Sequence, residues 1–369
     1  MSTGFMRGSR RLSVVFLAFV LLVSLVSVAP VKEAQAAGSK LTASTVTVKA
    51  AGRSFTVKTV RIPKGTATAV GLANHQVGRT ASLSSIASAY GAKAAINGAF
   101  FDSYGGPPDP YGTLISGGRL MHIGRYGTTI GFTANGTAMM DSLRIEVSGQ
   151  VTPPEGRGSS WYAVWFNRIP SSTASGTSIV YTPDRGSTTG YTGGVAVTVR
   201  NGKVVLKKNN ANSTIPSDGY VIVFSGDMKS MADRFVVGSK VTMDIRYTNI
   251  DGKAIPWENV VTAVGAGPRL VTDGKLSLNA AAEGFQDPKI LNAAGARSGI
   301  AILSDGSVMI ATVPGATMKQ WAAVMQKLGA VQAMNLDGGA SSGMLAGGKV
   351  VTSPGRLLSN TLVFGGTGN

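Results

Sequence analysis

Cysteine is absent from the 369 residues, histidine occurs twice, and 18 acidic side chains face 35 lysines and arginines. Each shortage closes a class of chemistry. Without cysteine there is no disulfide framework, no thiol nucleophile and no thiolate ligand for a metal or iron–sulfur centre. Two histidines argue against a zinc centre built on several imidazoles. Charged residues make up only 14% and apolar ones 43%, which argues against wholesale disorder or a coiled coil and supplies a sizeable core.

Long hydrophobic runs are also scarce. The single one, Leu12 to Val28, follows Arg7, Arg10 and Arg11 and precedes Ala34-Gln35-Ala36. That order reads as an export signal over residues 1–36, with the mature chain starting near Ala37. An uncleaved anchor is the alternative, because the run sits near the lower limit for spanning a bilayer. No later segment reads as a second span, so no stable membrane span is expected after cleavage. Removing residues 1–36 leaves 31 basic and 17 acidic side chains, a net +14. The expected location is secreted or attached to the cell envelope, and the charge favours phosphate-bearing glycans or other polyanions there. A solvated basic surface without a partner is the alternative. No basic run with interleaved aromatics is present, so nucleic acid is not an expected partner.

Residues 37–45 read as a short polar stretch, 46–364 as one catalytic domain and 365–369 as a tail. Val46 to Val60 alternates apolar and polar residues before Pro63-Lys64-Gly65, predicting strands and a turn. Gly194 to Arg200, Lys203 to Leu206, Tyr220 to Phe224 and Lys240 to Tyr247 are short and β-branched, with Asn201-Gly202, Ser217-Asp218-Gly219 and Gly238 between them. Helical periodicity is confined to Ser82–Tyr90 and Met318–Leu328, plus a short turn near Met228–Phe235. The fold class is therefore α+β: a β-rich mixed, twisted sheet with a few packed helices. Loops at Pro153–Ser160, Pro170–Ser178 and Lys207–Ser217 read as surface insertions.

Both longer helices stop at a glycine and lead into similar passages. Gly91-Ala92-Lys93-Ala94-Ala95-Ile96-Asn97 and Gly329-Ala330-Val331-Gln332-Ala333-Met334-Asn335 share Gly, Ala, Ala and Asn at the same offsets. They are expected to be neighbouring strands delivering polar loops to one sheet edge, with chance agreement as the alternative.

The second passage opens into Asn335-Leu336-Asp337-Gly338-Gly339-Ala340-Ser341-Ser342-Gly343. Paired glycines let backbone N–H groups approach an anion, and Asp337 supplies a carboxylate; a simple hairpin turn is the bland reading. The same stretch formally matches a nucleophile elbow at Ser341, but that fold needs a histidine later in the chain, and His75 and His122 both come earlier. A serine esterase then requires His122 to fold back on Ser341. The first passage opens into Asn97-Gly98-Ala99-Phe100-Phe101-Asp102, which offers a second carboxylate beside an aromatic pair; such pairs are more often core. Arg297 opens a predicted strand, where a guanidinium suits a phosphate or serves as an ordinary surface cation.

These clusters resemble the phosphodiester glycosidase family. The marks are Ala95-Ile96-Asn97-Gly98-Ala99-Phe100-Phe101, Gly267-Pro268-Arg269-Leu270-Val271 with Asp273-Gly274-Lys275, Ala296-Arg297-Ser298-Gly299, Asn335-Leu336-Asp337-Gly338-Gly339, and Arg356 with Ser359-Asn360. They stand in the family's order across most of Val46–Phe364. Two places depart: Ser298 where Thr often follows the arginine, and Ala340-Ser341-Ser342 where Gly-Ser-Thr is more usual. Both bear on substrate preference.

The resemblance implies hydrolysis of the bond between a sugar's anomeric carbon and a bridging phosphate, as in N-acetylglucosamine-1-phosphodiesters. It implies catalytic roles for Asp337, Asp102 and Arg297, with Asp337 as base or nucleophile and Asp102 as its partner or a substrate-orienting group. Asn97, Gly98, Asn335, Gly338, Gly339, Ser341, Ser342, Arg356 and Asn360 would bind sugar or phosphate. No cofactor is required; a divalent cation on Asp102, Asp109 and Asp337 is conceivable and unassigned. A glycan-binding module without turnover is the main alternative.

Overall fold

The computed structural model describes residues 41–368. The export signal, residues 37–40 of the polar stretch and the last residue lie outside the described residues, while Ala43 to Thr45 already belong to the first strand. Among the described residues no helix is long and apolar enough to cross a membrane.

The β-rich expectation holds, but one mixed sheet becomes four. Among the described residues strand pairing is antiparallel apart from Trp165–Phe166 against Gly176–Tyr181. The alternating N-terminal segment forms the hairpin Ala43–Ala50 and Arg53–Ile62, turning at Ala51-Gly52 rather than waiting for Pro63. The segment Lys240–Tyr247 splits into Lys240–Val241 and Asp244–Thr248.

Helix α1 (Leu83–Ala89) starts where Ser82 accepts a hydrogen bond from the Ser85 amide and ends before Gly91, whose φ is +61°. A short helix, α2 (Pro288–Leu291), carries no periodic apolar face and escapes pattern reading. Helix α3 (Met318–Lys327) has a reciprocal capping box between Thr317 and Gln320, and Gly329 beyond it has φ +88°.

The similar passages are not neighbours in one sheet. They occupy matching places in two. One of the two five-stranded sheets among the described residues, the one that helix α1 covers, runs Thr68–Leu72, Asn360–Phe364, Ala94–Asn97, Met344–Ala346, Lys349–Thr352. Part of the seven-stranded sheet runs Val308–Ala316, Gly295–Ile302, Gln332–Asn335, Arg269–Thr272, Lys275–Leu276. In each, a helix joins the first strand to the third, and a later or earlier strand slots between them. The registers match as well: Thr361 pairs with Asn97 as Gly299 pairs with Asn335, and Met344 pairs with Ile96 as Arg269 pairs with Met334.

This duplication explains the layering. Leu72, Ile96, Leu362 from one sheet and Ile300, Ile310, Met334 from the other share one buried cluster with Leu114 and Ile130. Helix α1 covers the outer face of the five-stranded sheet through Leu83 and Ile86. Helix α3 covers the seven-stranded sheet through Trp321 and Met325. Burial of Trp321 alone is worth about 3–5 kcal/mol against alanine. Residues between Arg144 and Thr248 form a separate nine-stranded sheet with its own core around Trp161, Phe224 and Phe235.

Candidate active site

The strand Gln332–Asn335 ends at Leu336, fully buried, and the chain then crosses Asp337-Gly338-Gly339. Both glycines are needed for this path. A Cβ on Gly338 would lie 2.9 Å from the Ala296 carbonyl, and Gly339 has φ +60°. The loop then tightens into the 3₁₀ turn Gly339–Ser341.

Asp337 keeps some access to solvent, with protein packed closely around it. Burial pushes its pKa up to about 6, against the opposing pull of the Ser341 hydroxyl, the Gly338 amide and the Arg356 charge. The Gly338 amide donates to its Oδ1 at 2.8 Å. Its backbone is fixed at both ends: the amide donates to the Gly98 carbonyl at 3.0 Å, and the carbonyl accepts from Asn97 Nδ2 at 2.7 Å.

Asn97 is 1% exposed, and its Oδ1 also accepts from Ser298 Oγ (2.7 Å) and the Gly343 amide (2.9 Å). One amide thus ties four segments around Asp337. Asn335 holds the matching place in the other sheet, donating to the carbonyls of Gly267 and Leu336, yet its buried Oδ1 has no partner. The register gives the reason: Pro268, which has no N–H, stands where Gly343 donates to Asn97. Asn360 is also spent on protein, since its Oδ1 accepts from the Ala99 amide at 2.7 Å and its Nδ2 donates to the Ala99 carbonyl. A Cβ on Gly98 would meet that Oδ1 at 2.3 Å.

Arg297 lies behind the loop rather than on the surface, 4% exposed. Its Nε donates to the Ala316 carbonyl (3.0 Å) and its Nη2 to the carbonyls of Lys289 (3.0 Å) and Ala293 (2.6 Å). Its Nη1 faces Gly338, where a Cβ would lie 3.8 Å away. Among the described residues no carboxylate pairs with it, and burial lowers its pKa. A desolvated cation behind the glycine turn is an arrangement that attracts an anion.

Arg356 donates to Ser103 Oγ and, at 3.3 Å, to the Tyr104 hydroxyl. Its guanidinium carbon is 5.2 Å from the Tyr104 ring centroid, and Lys289 Nζ is 5.7 Å from it. Tyr104 itself is 82% exposed, and its phenol pKa is lowered by the Arg356 hydrogen bond and by both positive charges. Asp102 Oδ1 accepts from the amides of Tyr104 (3.3 Å) and Gly105 (3.4 Å), turning the segment that carries Tyr104. No hydrogen bond joins Asp102 to Asp337. Tyr104 and Tyr126 both feel the Asp337 charge, and Tyr111 feels Asp102.

Sequence reasoning missed Tyr104, Tyr126 and Lys289. Tyr104 sat two residues beyond Asp102 in an irregular stretch, which is a usable signal. A lone lysine in a four-residue helix gives none.

Ser341 is buried beside Asp337, and the buried Ser342 hydroxyl has no partner. His122 does not reach Ser341. Its Nδ1 is paired with the Gly112 carbonyl at 2.8 Å, its Nε2 has no partner, and burial lowers its pKa to about 3. A serine nucleophile therefore lacks its histidine base. Asp109 is committed as well: it pairs with Arg185 and accepts from the Ile169 amide at 2.7 Å. Among the described residues no three His, Asp or Glu side chains form a metal-binding group. Phe101 is buried, and Phe100 packs edge-on to Phe285 at 6.0 Å, so the aromatic pair belongs largely to the core.

Comparison with solved structures gives three that are similar to this chain to different degrees. A hypothetical protein from Synechocystis is 26% identical, with a TM-score of 0.75 over 88% of this chain. This chain spans 62% of the length of that protein. A candidate exported protein from Burkholderia pseudomallei K96243 is 24% identical, with a TM-score of 0.69 over 84% of this chain and 74% of the other. The catalytic domain of zebrafish N-acetylglucosamine-1-phosphodiester alpha-N-acetylglucosaminidase, auto-inhibited by its pro-peptide, is 12% identical, with a TM-score of 0.49 over 89% and 84%. No curated protein matches the chain. The family model described as phosphodiester glycosidase matches residues 193–365, a span that holds Arg297, Asp337, Gly338, Gly339, Ser341, Arg356 and Asn360. Over residues 193–365 this chain is similar to the phosphodiester glycosidase family.

Proposed function

We propose that the protein is an exported hydrolase that cleaves the bond between an anomeric carbon and a bridging phosphate in sugar-1-phosphodiesters of the N-acetylglucosamine-1-phosphodiester type, free or within envelope glycans. The observation that carries this reading is Asp337, a carboxylate of raised basicity that accepts from the Gly338 amide, lies beside the Ser341 hydroxyl and feels the Arg356 charge. Water attacks the anomeric carbon, the carbon–oxygen bond to phosphate breaks, and the products are a free sugar and a phosphate monoester. Asp337, mostly ionised above pH 6, takes the proton from that water or attacks the carbon itself. The Gly339 amide, with Arg297 behind the loop and Arg356 at the rim, neutralises charge on the phosphate as it leaves. Phosphate is a good leaving group, so little acid assistance is needed. Asp102 acts through Tyr104 by shaping the rim. Asn97 and Asn360, whose amides are spent inside the protein, act as positioning residues for Asp337 and Ala99.

The test is sugar release from a panel of sugar-1-phosphodiesters by the full chain, with Asp337→Asn as control. Release by the unmutated protein alone supports hydrolysis at Asp337. No release from any member, together with retained binding to envelope polymer, would favour a glycan-binding module, a reading to which the net positive charge also lends support.

A further inference from the structure

A second group of cations gathers on a tryptophan at the edge of the nine-stranded sheet. Trp165 lies in the short strand Trp165–Phe166, and two guanidinium carbons lie near its ring centroid, Arg125 at 4.3 Å and Arg168 at 4.4 Å. Among the described residues neither arginine pairs with a carboxylate. Arg125 spends one N–H on the Val164 carbonyl, whereas the Arg168 side chain donates to no group among them. Burial and, after it, the Arg168 charge lower the pKa of Arg125, so the two cations repel. The indole holds each by cation–π attraction, and an anion reaching both guanidiniums at the ring's edge would relieve the repulsion.

The frame under these side chains is rigid. On one side of Arg168, the Asn167 amide donates to the Val180 carbonyl and its Nδ2 to the Met121 carbonyl. On the other, the Ile169 amide donates to the buried carboxylate of Asp109. The Arg168 carbonyl accepts from the Tyr181 hydroxyl at 2.7 Å. Ahead of Arg125, the Gly124 amide donates to Thr113 Oγ1 at 3.0 Å. The guanidiniums thus stand on fixed backbone with free donors, which lowers the entropy cost of binding. The group also lies toward Asp337: Tyr126 follows Arg125 in the chain and packs edge-on to Phe285 at 5.3 Å, which packs in turn on Phe100 beside Ala99, and the Tyr126 hydroxyl feels the charges of both Arg168 and Asp337.

We propose that Arg125, Trp165 and Arg168 form a second anion subsite, which receives a phosphate of a neighbouring repeat when the substrate is a polymer of sugar-phosphate units. This rests on the hydrolase reading for what happens at Asp337, and it adds that the preferred substrate carries more than one phosphodiester. A planar fork of N–H donors suits phosphate oxygens in pairs.

The experiment measures binding of one-unit and four-unit sugar-1-phosphate oligomers to the full chain carrying Asp337→Asn, which prevents turnover. Trp165 is the partly exposed tryptophan, while Trp161, Trp257 and Trp321 are each at most 2% exposed, so a ligand-induced change in emission reports this subsite. The four-unit oligomer is expected to bind about tenfold more tightly than the single unit, and Arg168→Gln should bring that ratio close to one. Trp165→Phe should abolish the emission change. If Arg168→Gln fails to fold, the exposed Arg125→Gln reads the same ratio. An equal preference for a carboxylate oligomer such as oligogalacturonate would overturn the phosphate assignment, and a ratio near one in the background protein would overturn the subsite. Sugar release by the unmutated chain tests the hydrolase reading separately: release without length preference sinks the subsite alone, and length preference without release sinks hydrolysis alone.

Discussion

Replacing Asp337 with asparagine should make the protein more stable while removing the proposed sugar release. Holding a carboxyl at about 6 rather than its ordinary 3.8 costs the ionised native state. At 1.36 kcal/mol per tenfold this is roughly 3 kcal/mol, reduced to about 2 by the solvent that still reaches the group. The sign follows from proton uptake. Between pH 4 and 6 the native state keeps a proton that the unfolded chain has lost, so stability falls as pH rises through that window and the full cost stands above it. Asparagine carries no such cost, and its Oδ1 still accepts from the Gly338 amide. Unfolding entropy for about 330 residues is near 0.7 kcal/mol per kelvin, so a gain of about 2 kcal/mol raises Tm by about 3 °C at pH 7.5. Scanning calorimetry at pH 7.5 and pH 4 checks this, with the difference shrinking toward zero at the lower pH. An equal or lower Tm at pH 7.5, or an increment independent of pH, would refute the claim that burial raises the basicity of Asp337.

The activity should follow the same group: kcat/KM for a sugar-1-phosphodiester is expected to fall about tenfold per pH unit below pH 6, measured as sugar release against pH. Asn97→Ala strands the Ser298 hydroxyl, the Gly343 amide and the Asp337 carbonyl; urea titration should show a loss of about 3 kcal/mol, with Ser298→Ala costing about 1. Gly98→Ala drives a methyl into the buried Asn360 amide and should cost about 2 kcal/mol in the same titration. Arg297→Gln leaves carbonyls of Ala316, Lys289 and Ala293 short of donors and should lower stability by about 3 kcal/mol, while Arg297→Lys recovers part of it.

Local signals carried the elements well. Ser82 and Gly91 bracket α1, and Thr317 and Gly329 bracket α3, because caps are decided by residues within one turn of the helix end. The Asp-Gly-Gly loop was legible for the same reason: a left-handed Gly339 and a tight approach at Gly338 leave few other residues possible. Sheet membership was not legible. The strands Ala94–Asn97 and Gln332–Asn335 read as neighbours, yet each lies between strands drawn from distant parts of the chain, Asn360–Phe364 and Met344–Ala346 in one case, Gly295–Ile302 and Arg269–Thr272 in the other. Which strand fills a gap depends on long-range packing that no short pattern records. The amides of Asn97 and Asn360 illustrate the same limit at the site: their residue type suggested ligand binding, whereas four segments of the protein converge to occupy them.

The duplication accounts for where the chemistry falls. Leu336 donates to the Ser298 carbonyl as Gly98 donates to the Asn360 carbonyl, so Asp337 and Ala99 occupy matching positions in the two halves. Only one half carries a carboxylate at this position. In the other, Ala99 is gripped at both its amide and its carbonyl by Asn360, and the bare Gly98 gives that amide room to do so. The half without the carboxylate therefore works as a brace: its Asn97 reaches across to the Asp337 carbonyl and its Gly98 carbonyl accepts the Asp337 amide. A carboxylate held at raised basicity loses stability by being desolvated, and it stays in place only if the surrounding backbone leaves it no alternative path. Two copies of one strand-and-loop unit, facing each other and specialised in opposite directions, provide that constraint from residues far apart in the chain.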